Sequence, residues 1–440
     1  MSSQLQPGPF LDLAPSVKNM GQSATLAINE RSRRLRAEGR EVFRLGLGQS
    51  PFPVPECMER ALCDNAHQKD YLAVEGLPAL RQAVTEYLHR TEGLRYDPAH
   101  VLIGPGTKEL MFIVQLVYRG ELVIPSPSWV SYAPQARIVG RKVHWLSTHV
   151  DDGLGVHPET LEQVCKVAPE QPRLLILNYP GNPTGMCYGA ERLEAIAAVA
   201  RRYRMVVLSD EIYSGTHFED DHQSIARWYP EGTIVSNGLS KWAGAGGWRL
   251  GAFAFPEQLA WLHAAMTIVA SETFTSTSAP IQYAAVEGFR DSSAMREYQA
   301  NQRRILAALS KYARERLMQC GAQVVEAKGG FYLFPSFEPL RGALTARGMQ
   351  DGASLCETLL EATGVAVLPG SCFGRPCEEF SFRMALVDFD GGPALAALAS
   401  GGVEVDMAFL ETYCPRVVTA VERMARWFEG GALGAASSAG

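Results

Sequence analysis

Residues 173–214 read RLLILNYPGNPTGMCYGAERLEAIAAVARRYRMVVLSDEIYS. RLLILNYP and MVVLSDE are short, near-continuous apolar runs, and ERLEAIAAVARRY between them has helical spacing. Strands that are apolar along their whole length are covered on both faces, which is the signature of a parallel sheet with crossover helices. Working outward, the alternation continues in both directions from Val101. VLIG, ELVIP, KVHWLS, TIVSNGLS and GAFAF are strand-like, while KELMFIVQLVY and EQLAWLHAAM are helical. The expected fold class is α/β, a mostly parallel sheet flanked by helices, and in such sheets ligands bind at the carboxyl ends of the strands.

The flanks differ in character. SATLAINERSRRLRAEG, from Ser23, reads as a capped amphipathic helix ending at Gly39, followed by the strand-like VFRLGLGQSPFPVP. A long charged helix, REYQANQRRILAALSKYARERL, opens a second region with short apolar pieces in AQVVEAKGGFYLFP, GVAVLPGSCFG and FSFRMAL, closed by a helix around VVTAVERMARWF. At 440 residues the chain exceeds the usual reach of one core. The expected division is an N-terminal segment (1–50) joining a smaller α+β domain, a large domain (51–295), the small C-terminal domain (296–430), and a disordered tail of small residues (431–440).

Composition excludes several classes. With 47% hydrophobic and 20% charged residues the chain is ordinary for a globular protein. A net charge of -6 speaks against a nucleic-acid partner, which normally meets a basic face. The nine cysteines are odd in number, scattered and without a C-x-x-C pair, so reduced thiols in a cytoplasmic protein are expected. The nine histidines form no H-x-x-x-H pair, so no metal is expected. MSSQLQPGPF has no secretory pattern, and no apolar run is long enough for a membrane span.

Three polar clusters fall where predicted strands end: Asn182 in LILNYPGNPTG, Asp210 and Tyr213 in VVLSDEIYS, and Lys241 and Arg249 in IVSNGLSKWAGAGGWRLG. Singly, each has a bland explanation as a turn, a helix cap or a surface charge. In this order, together with LGLGQSPFPVPE, YLAVEGLPALRQAV, IGPGTKELMF, PSPSWVSY, GGFYLFP, LPGSCFG and SFRMAL, the sequence resembles the class I aminotransferases. These are fold-type-I enzymes dependent on pyridoxal 5'-phosphate, and the likeness is greatest to the bacterial aspartate aminotransferase-like subgroup. It covers roughly residues 15–390.

The resemblance implies a role for each matched residue. Lys241 would hold the cofactor aldehyde as a Schiff base and shuttle a proton. Asp210 would keep the pyridine nitrogen protonated, and Asn182 and Tyr213 would donate to the ring phenolate oxygen. Trp129 would stack on the ring. Gly106, Thr107 and Lys108 open a predicted helix after a strand and suit a phosphate, joined by Ser240 and by Arg249 as a fork. Tyr71 would reach the phosphate of a neighbouring subunit, implying a homodimer with shared active sites. Arg383 would grip the substrate α-carboxylate, with Asn182 and Gly48 lining the substrate side. The partners are then an L-amino acid and a 2-oxo acid, and the expected reaction is amino-group transfer.

Three departures touch this pattern. Gly238 stands where many relatives carry a hydroxyl, Gln49-Ser50 replaces a Glu-Pro pair, and Gly246 occupies a position where the subgroup usually has Thr. They motivate a second reading, in which the same cofactor serves elimination or replacement, decarboxylation or oxidation. A third reading is a cofactor-binding regulator without turnover. No cation matches a family position for a second carboxylate, so aspartate preference does not follow.

Overall fold

The computed structural model describes residues 13–18 and 24–436. Seven strands form the central sheet: β2 (Val101–Gly104), β3 (Glu121–Ser126), β4 (Val143–Ser147), β5 (Arg173–Asn178), β6 (Val206–Asp210), β7 (Thr233–Gly238) and β8 (Gly251–Ala254). Their order is β2-β8-β7-β6-β5-β3-β4. The pairs β3–β4, β3–β5, β5–β6 and β6–β7 are parallel. Only β8 is reversed, antiparallel to both β7 and β2. The sheet is mostly parallel, as the continuous apolar runs predict.

Alternate side chains of these strands enter different cores. Leu122, Leu174, Ile176, Leu208 and Ile234 pack with the helices Thr107–Val117 and Ala260–Thr273. Val123, Leu175, Leu177 and Val207 pack on the opposite face with the helices Pro158–Val167 and Ala190–Arg202. Two-sided burial leaves no exposed face on which the period-2 pattern could show, which is why the strands read as unbroken apolar runs.

A separate core gathers the two flanks of the chain. Phe43 and Leu45 pack in one cluster with Leu306, Leu309, Leu333, Leu355, Phe382, Met384 and Val421. The scaffold is a short parallel pair, β1 (Phe43–Arg44) with β10 (Val365–Ala366), and a three-stranded antiparallel sheet of β9 (Tyr332–Leu333), β12 (Phe382–Ala385) and β11 (Leu368–Pro369). The helices Ser293–Gln319, Gly352–Thr363 and Pro415–Ala436 surround it.

Two sequence expectations shift in detail. Of the strand-like stretch 42–55, only Phe43–Arg44 pairs, because the prolines and glycines beyond it withhold ladder donors and favour turns. The closing helix runs on to Ala436, into the stretch expected to be a tail, where alanine and leucine sustain helical backbone; residues 437–440 lie outside the described part. The Ser23 cap also lies outside it, and the first long helix spans Ala24–Ala37.

Candidate active site

The carboxyl ends of β5, β6 and β7 lie side by side, with Asn178 in register with Asp210 and Asp210 with Ser236. That register assembles the base of a site. Asp210 is 3% exposed. Its Oδ2 accepts from the Tyr132 hydroxyl and its Oδ1 from Ser236 Oγ at 3.4 Å. Asn178 Nδ2 donates to the Asp210 carbonyl at 2.8 Å, and Asn178 Oδ1 accepts from the Asn182 N–H at 2.7 Å, which ties Asn182 to the same strand ends. Burial pushes the Asp210 carboxyl up to about 6, although the hydrogen bonds it accepts pull the other way. A deeply buried carboxylate with so few partners is matched to a cationic group.

Lys241 sits on the connection from β7 to β8. Its Nζ donates to the Gly48 carbonyl at 2.9 Å and lies 5.6 Å from the centre of the Tyr213 ring and 5.7 Å from that of Phe331. Tyr213 and Tyr332 are buried with their hydroxyls 3.0 Å apart. Burial holds the Tyr213 phenol well above its ordinary range, so it remains protonated.

The phosphate-type end is built by close approach. Gly104, Gly251 and Gly238 lie in a row across β2, β8 and β7. A Cβ on Gly251 would stand 2.4 Å from the Thr107 nitrogen, so the absence of side chains lets the loop before the helix Thr107–Val117 drop onto the sheet. Gly106 caps that helix in left-handed backbone (φ +89), without a side-chain cap. Its neighbour is Arg249, whose Nη2 would lie 2.2 Å from a Cβ there and whose Nη1 donates to the Gly246 carbonyl at 2.9 Å. Thr107 and Ser240 are half-buried alongside. The Lys108 ammonium is held below its ordinary value, first by desolvation and then by the cations Arg249 and Lys241. Two cations, Lys108 and Arg249, thus stand at the N-terminus of this helix with Lys241 near enough to act on Lys108, an arrangement that suits an anion.

Arg383, on β12, is buried. It donates from Nη1 to Asn182 Oδ1 at 3.1 Å and from Nη2 to the Gly46 carbonyl at 2.6 Å, while its Nε is buried without a partner. A buried guanidinium N–H left open is ready to donate to a carboxylate. Trp129 packs edge-on against Tyr132, with ring centres 5.1 Å apart, and Lys108 Nζ lies 5.0 Å from its ring centre. Tyr71 stands 88% exposed, apart from the cluster.

The fold therefore brings together Gly48, Asn182, Asp210, Tyr213, Lys241 and Arg383, with Gly106, Thr107, Lys108, Ser240 and Arg249 at the anionic end, and leaves Tyr71 at the surface. Sequence reasoning missed Tyr132 and Tyr332. Both lie inside quoted motifs, PSPSWVSY and GGFYLFP, but their contacts are made with residues far away in sequence. Among the described residues no cluster with metal-ligand chemistry occurs, and no helix is long and apolar enough to cross a membrane.

Fold and site together fit a pyridoxal-phosphate-dependent enzyme of fold type I, with a buried carboxylate, a lysine and a cationic helix terminus at the strand ends. Comparison with known proteins makes this specific. Residues 40–388 match the family "Aminotransferase class I and II". An aspartate aminotransferase of Geobacillus stearothermophilus is 35% identical over 386 residues, covering 83% of this chain and 93% of that protein. An asparagine–oxo-acid transaminase of Streptococcus mutans is 32% identical over 381 residues, covering 83% and 92%. The solved structure of the Thermus thermophilus aspartate aminotransferase with maleate superposes with a TM-score of 0.80 at 29% identity, covering 95% of this chain and all of that one. The chain belongs to the class I and II aminotransferases, an enzyme family that moves an amino group from an amino acid to a 2-oxo acid on pyridoxal 5'-phosphate.

Proposed function

We propose that this transfer runs at the cluster centred on Lys241, with an L-amino acid and a 2-oxo acid as its two substrates. The observation that carries the reading is the convergence of a lysine, a buried carboxylate and an incompletely partnered arginine at the ends of β5, β6, β7 and β12. When bound, pyridoxal 5'-phosphate supplies an electron sink for the charge left on the substrate Cα.

Each residue then has a task set by its surroundings. Lys241 Nζ, steered by the Gly48 carbonyl, would hold the cofactor through its aldehyde carbon and would carry the proton to and from the substrate Cα. Asp210, held by Tyr132 and Ser236, keeps the ring nitrogen protonated. Tyr213 and Asn182 would supply donors to the cofactor's phenolic oxygen, and Trp129 would offer an aromatic surface to its ring. Gly106, Thr107, Lys108, Ser240 and Arg249 hold the phosphate. Arg383 offers Nε to the α-carboxylate while Asn182 and Gly46 fix its other arms, so the Cα–H bond points in one direction. Gly48 lines the substrate side.

We read the molecule as a homodimer in which Tyr71 serves the partner's phosphate, supported by the exposure of that phenol. Nine free cysteines fit a cytoplasmic setting. We take 51–295 as the large domain and 1–50 with 296–430 as the small one, supported by the packing of Phe43 and Leu45 into the C-terminal core.

Borohydride reduction of the purified enzyme followed by peptide mapping is expected to tag Lys241, and Lys241→Ala to abolish both tag and turnover. A donor panel beginning with aspartate and asparagine, read by mass spectrometry with and without a 2-oxo acid, tests the reaction. Turnover that proceeds without an acceptor, releasing ammonia, would sink the transfer reading.

A further inference from the structure

Resting on the cofactor reading above, we propose that Tyr332 is a positioning residue: its hydroxyl links the Arg383–Asn182 pair to Tyr213 and turns the Tyr213 proton towards the cofactor's phenolic oxygen. No sequence match assigned Tyr332 a role. The argument is one of counting protons and lone pairs.

Arg383 Nη1 lies 3.1 Å from Asn182 Oδ1. A guanidinium only donates, so the amide oxygen must face it, and this settles which way the Asn182 side chain points. Asn182 Nδ2 is thereby directed at Tyr332, whose Oη accepts at 3.3 Å. Tyr332 Oη is also 3.0 Å from Tyr213 Oη. These are the two partners of the Tyr332 hydroxyl among the described residues. The amide nitrogen cannot accept, so the Tyr213 oxygen is the acceptor open to the Tyr332 proton, and in the proposed arrangement Tyr332 donates there. The Tyr213 proton is then unclaimed, as a donor to a phenolate requires. Each acceptance in the chain Arg383, Asn182, Tyr332, Tyr213 also polarises the next donor.

Tyr332 is held rigidly enough for this task. It is 2% exposed and lies on β9 directly opposite Ala385 of β12. Its ring lies under the Arg383 guanidinium, 4.8 Å from centre to carbon, and packs on Phe331 at 4.7 Å. The space above Gly48 is filled by it: a Cβ there would stand 1.8 Å from the Tyr332 hydroxyl. Gly48 is therefore glycine because the Tyr332 hydroxyl occupies that side, while its own carbonyl receives Lys241.

The test is a pH titration of the bound cofactor's absorption in the holoenzyme, in wild type, Tyr332→Phe, Tyr213→Phe and the double variant. Tyr332→Phe keeps the ring beneath Arg383 and removes one hydroxyl. Its titration midpoint is expected to move to higher pH by about 0.5–1, the size of one lost neutral hydrogen bond. The value of kcat should fall about 2–10-fold with KM for the amino donor nearly unchanged, because Arg383 still reads the carboxylate. The double variant should titrate like Tyr213→Phe alone, since Tyr332 acts through Tyr213. An unmoved midpoint in Tyr332→Phe, or additive shifts in the double variant, would overturn the proposal. A wild-type enzyme without any cofactor band would instead overturn the cofactor reading on which it rests.

Discussion

Asp210 concentrates the tension of the site in one carboxyl group. Burial raises it to about 6, above the roughly 3.9 of an unfolded chain. The raised value means that the folded protein prefers the protonated acid. The cofactor-free protein is therefore favoured at low pH, and this contribution is lost as pH rises through about 4 to 6. Asp210→Asn removes that loss. In denaturant melts the cofactor-free variant should be more stable than wild type at pH 8 by about 1–3 kcal/mol, with a smaller gap at pH 5. Loaded with pyridoxal phosphate the sign should reverse, because the cationic ring nitrogen then needs the negative charge. Equal stabilities of the two cofactor-free proteins at pH 8 would contradict this account. Asp210, Asn182 and Lys241 stand out in the sequence because each follows an apolar run, and Arg383 because SFRMAL matches the family motif. Tyr132 and Tyr332 were not, because a buried tyrosine looks the same in sequence whether its hydroxyl serves a core or a site.

Two of the three sequence departures are settled at the level of the elements that carry them. Gly238 ends β7 in the glycine row, and a Cβ there would stand 2.8 Å from the Leu250 carbonyl of the returning chain. A hydroxyl-bearing residue does not fit without moving backbone. Gly246 is different: a Cβ there would meet the Ser240 carbonyl at 3.5 Å, an ordinary contact. Gly238→Ser should therefore destabilise the protein by about 1–3 kcal/mol and weaken cofactor binding, whereas Gly246→Thr should keep the fold and bind the cofactor at least as tightly. Thermal melts and equilibrium dialysis separate the two, and a stable, tightly binding Gly238→Ser would refute the steric argument. The long strands were readable in advance because two-sided burial writes itself as continuous apolar sequence. The two-residue strands were readable only loosely, β1 as part of a longer strand-like stretch and β9, β10 and β11 as short apolar pieces, since so short a pairing carries no periodicity and is set by partners far along the chain.

For the molecule as a whole, the proposed sharing of the site between subunits makes a sharp prediction. Tyr71→Phe and Lys241→Ala should each be strongly impaired alone. Unfolded together and refolded as hybrids, they should recover activity, because one of the two sites then combines an intact Lys241 with the other subunit's intact Tyr71. Absence of recovery in confirmed hybrid dimers would argue that each subunit works alone. Assembly in time follows from a contact already described. The Gly46 carbonyl that braces Arg383 is separated from it by 337 positions. A ribosome must have released all the residues between them before those two groups can meet. The central sheet can gather its strands during synthesis, but the Arg383–Gly46 contact forms later. A nascent chain stalled before residue 383 should therefore show a protease-resistant sheet and no turnover, so that competence arrives only once that arginine has left the ribosome.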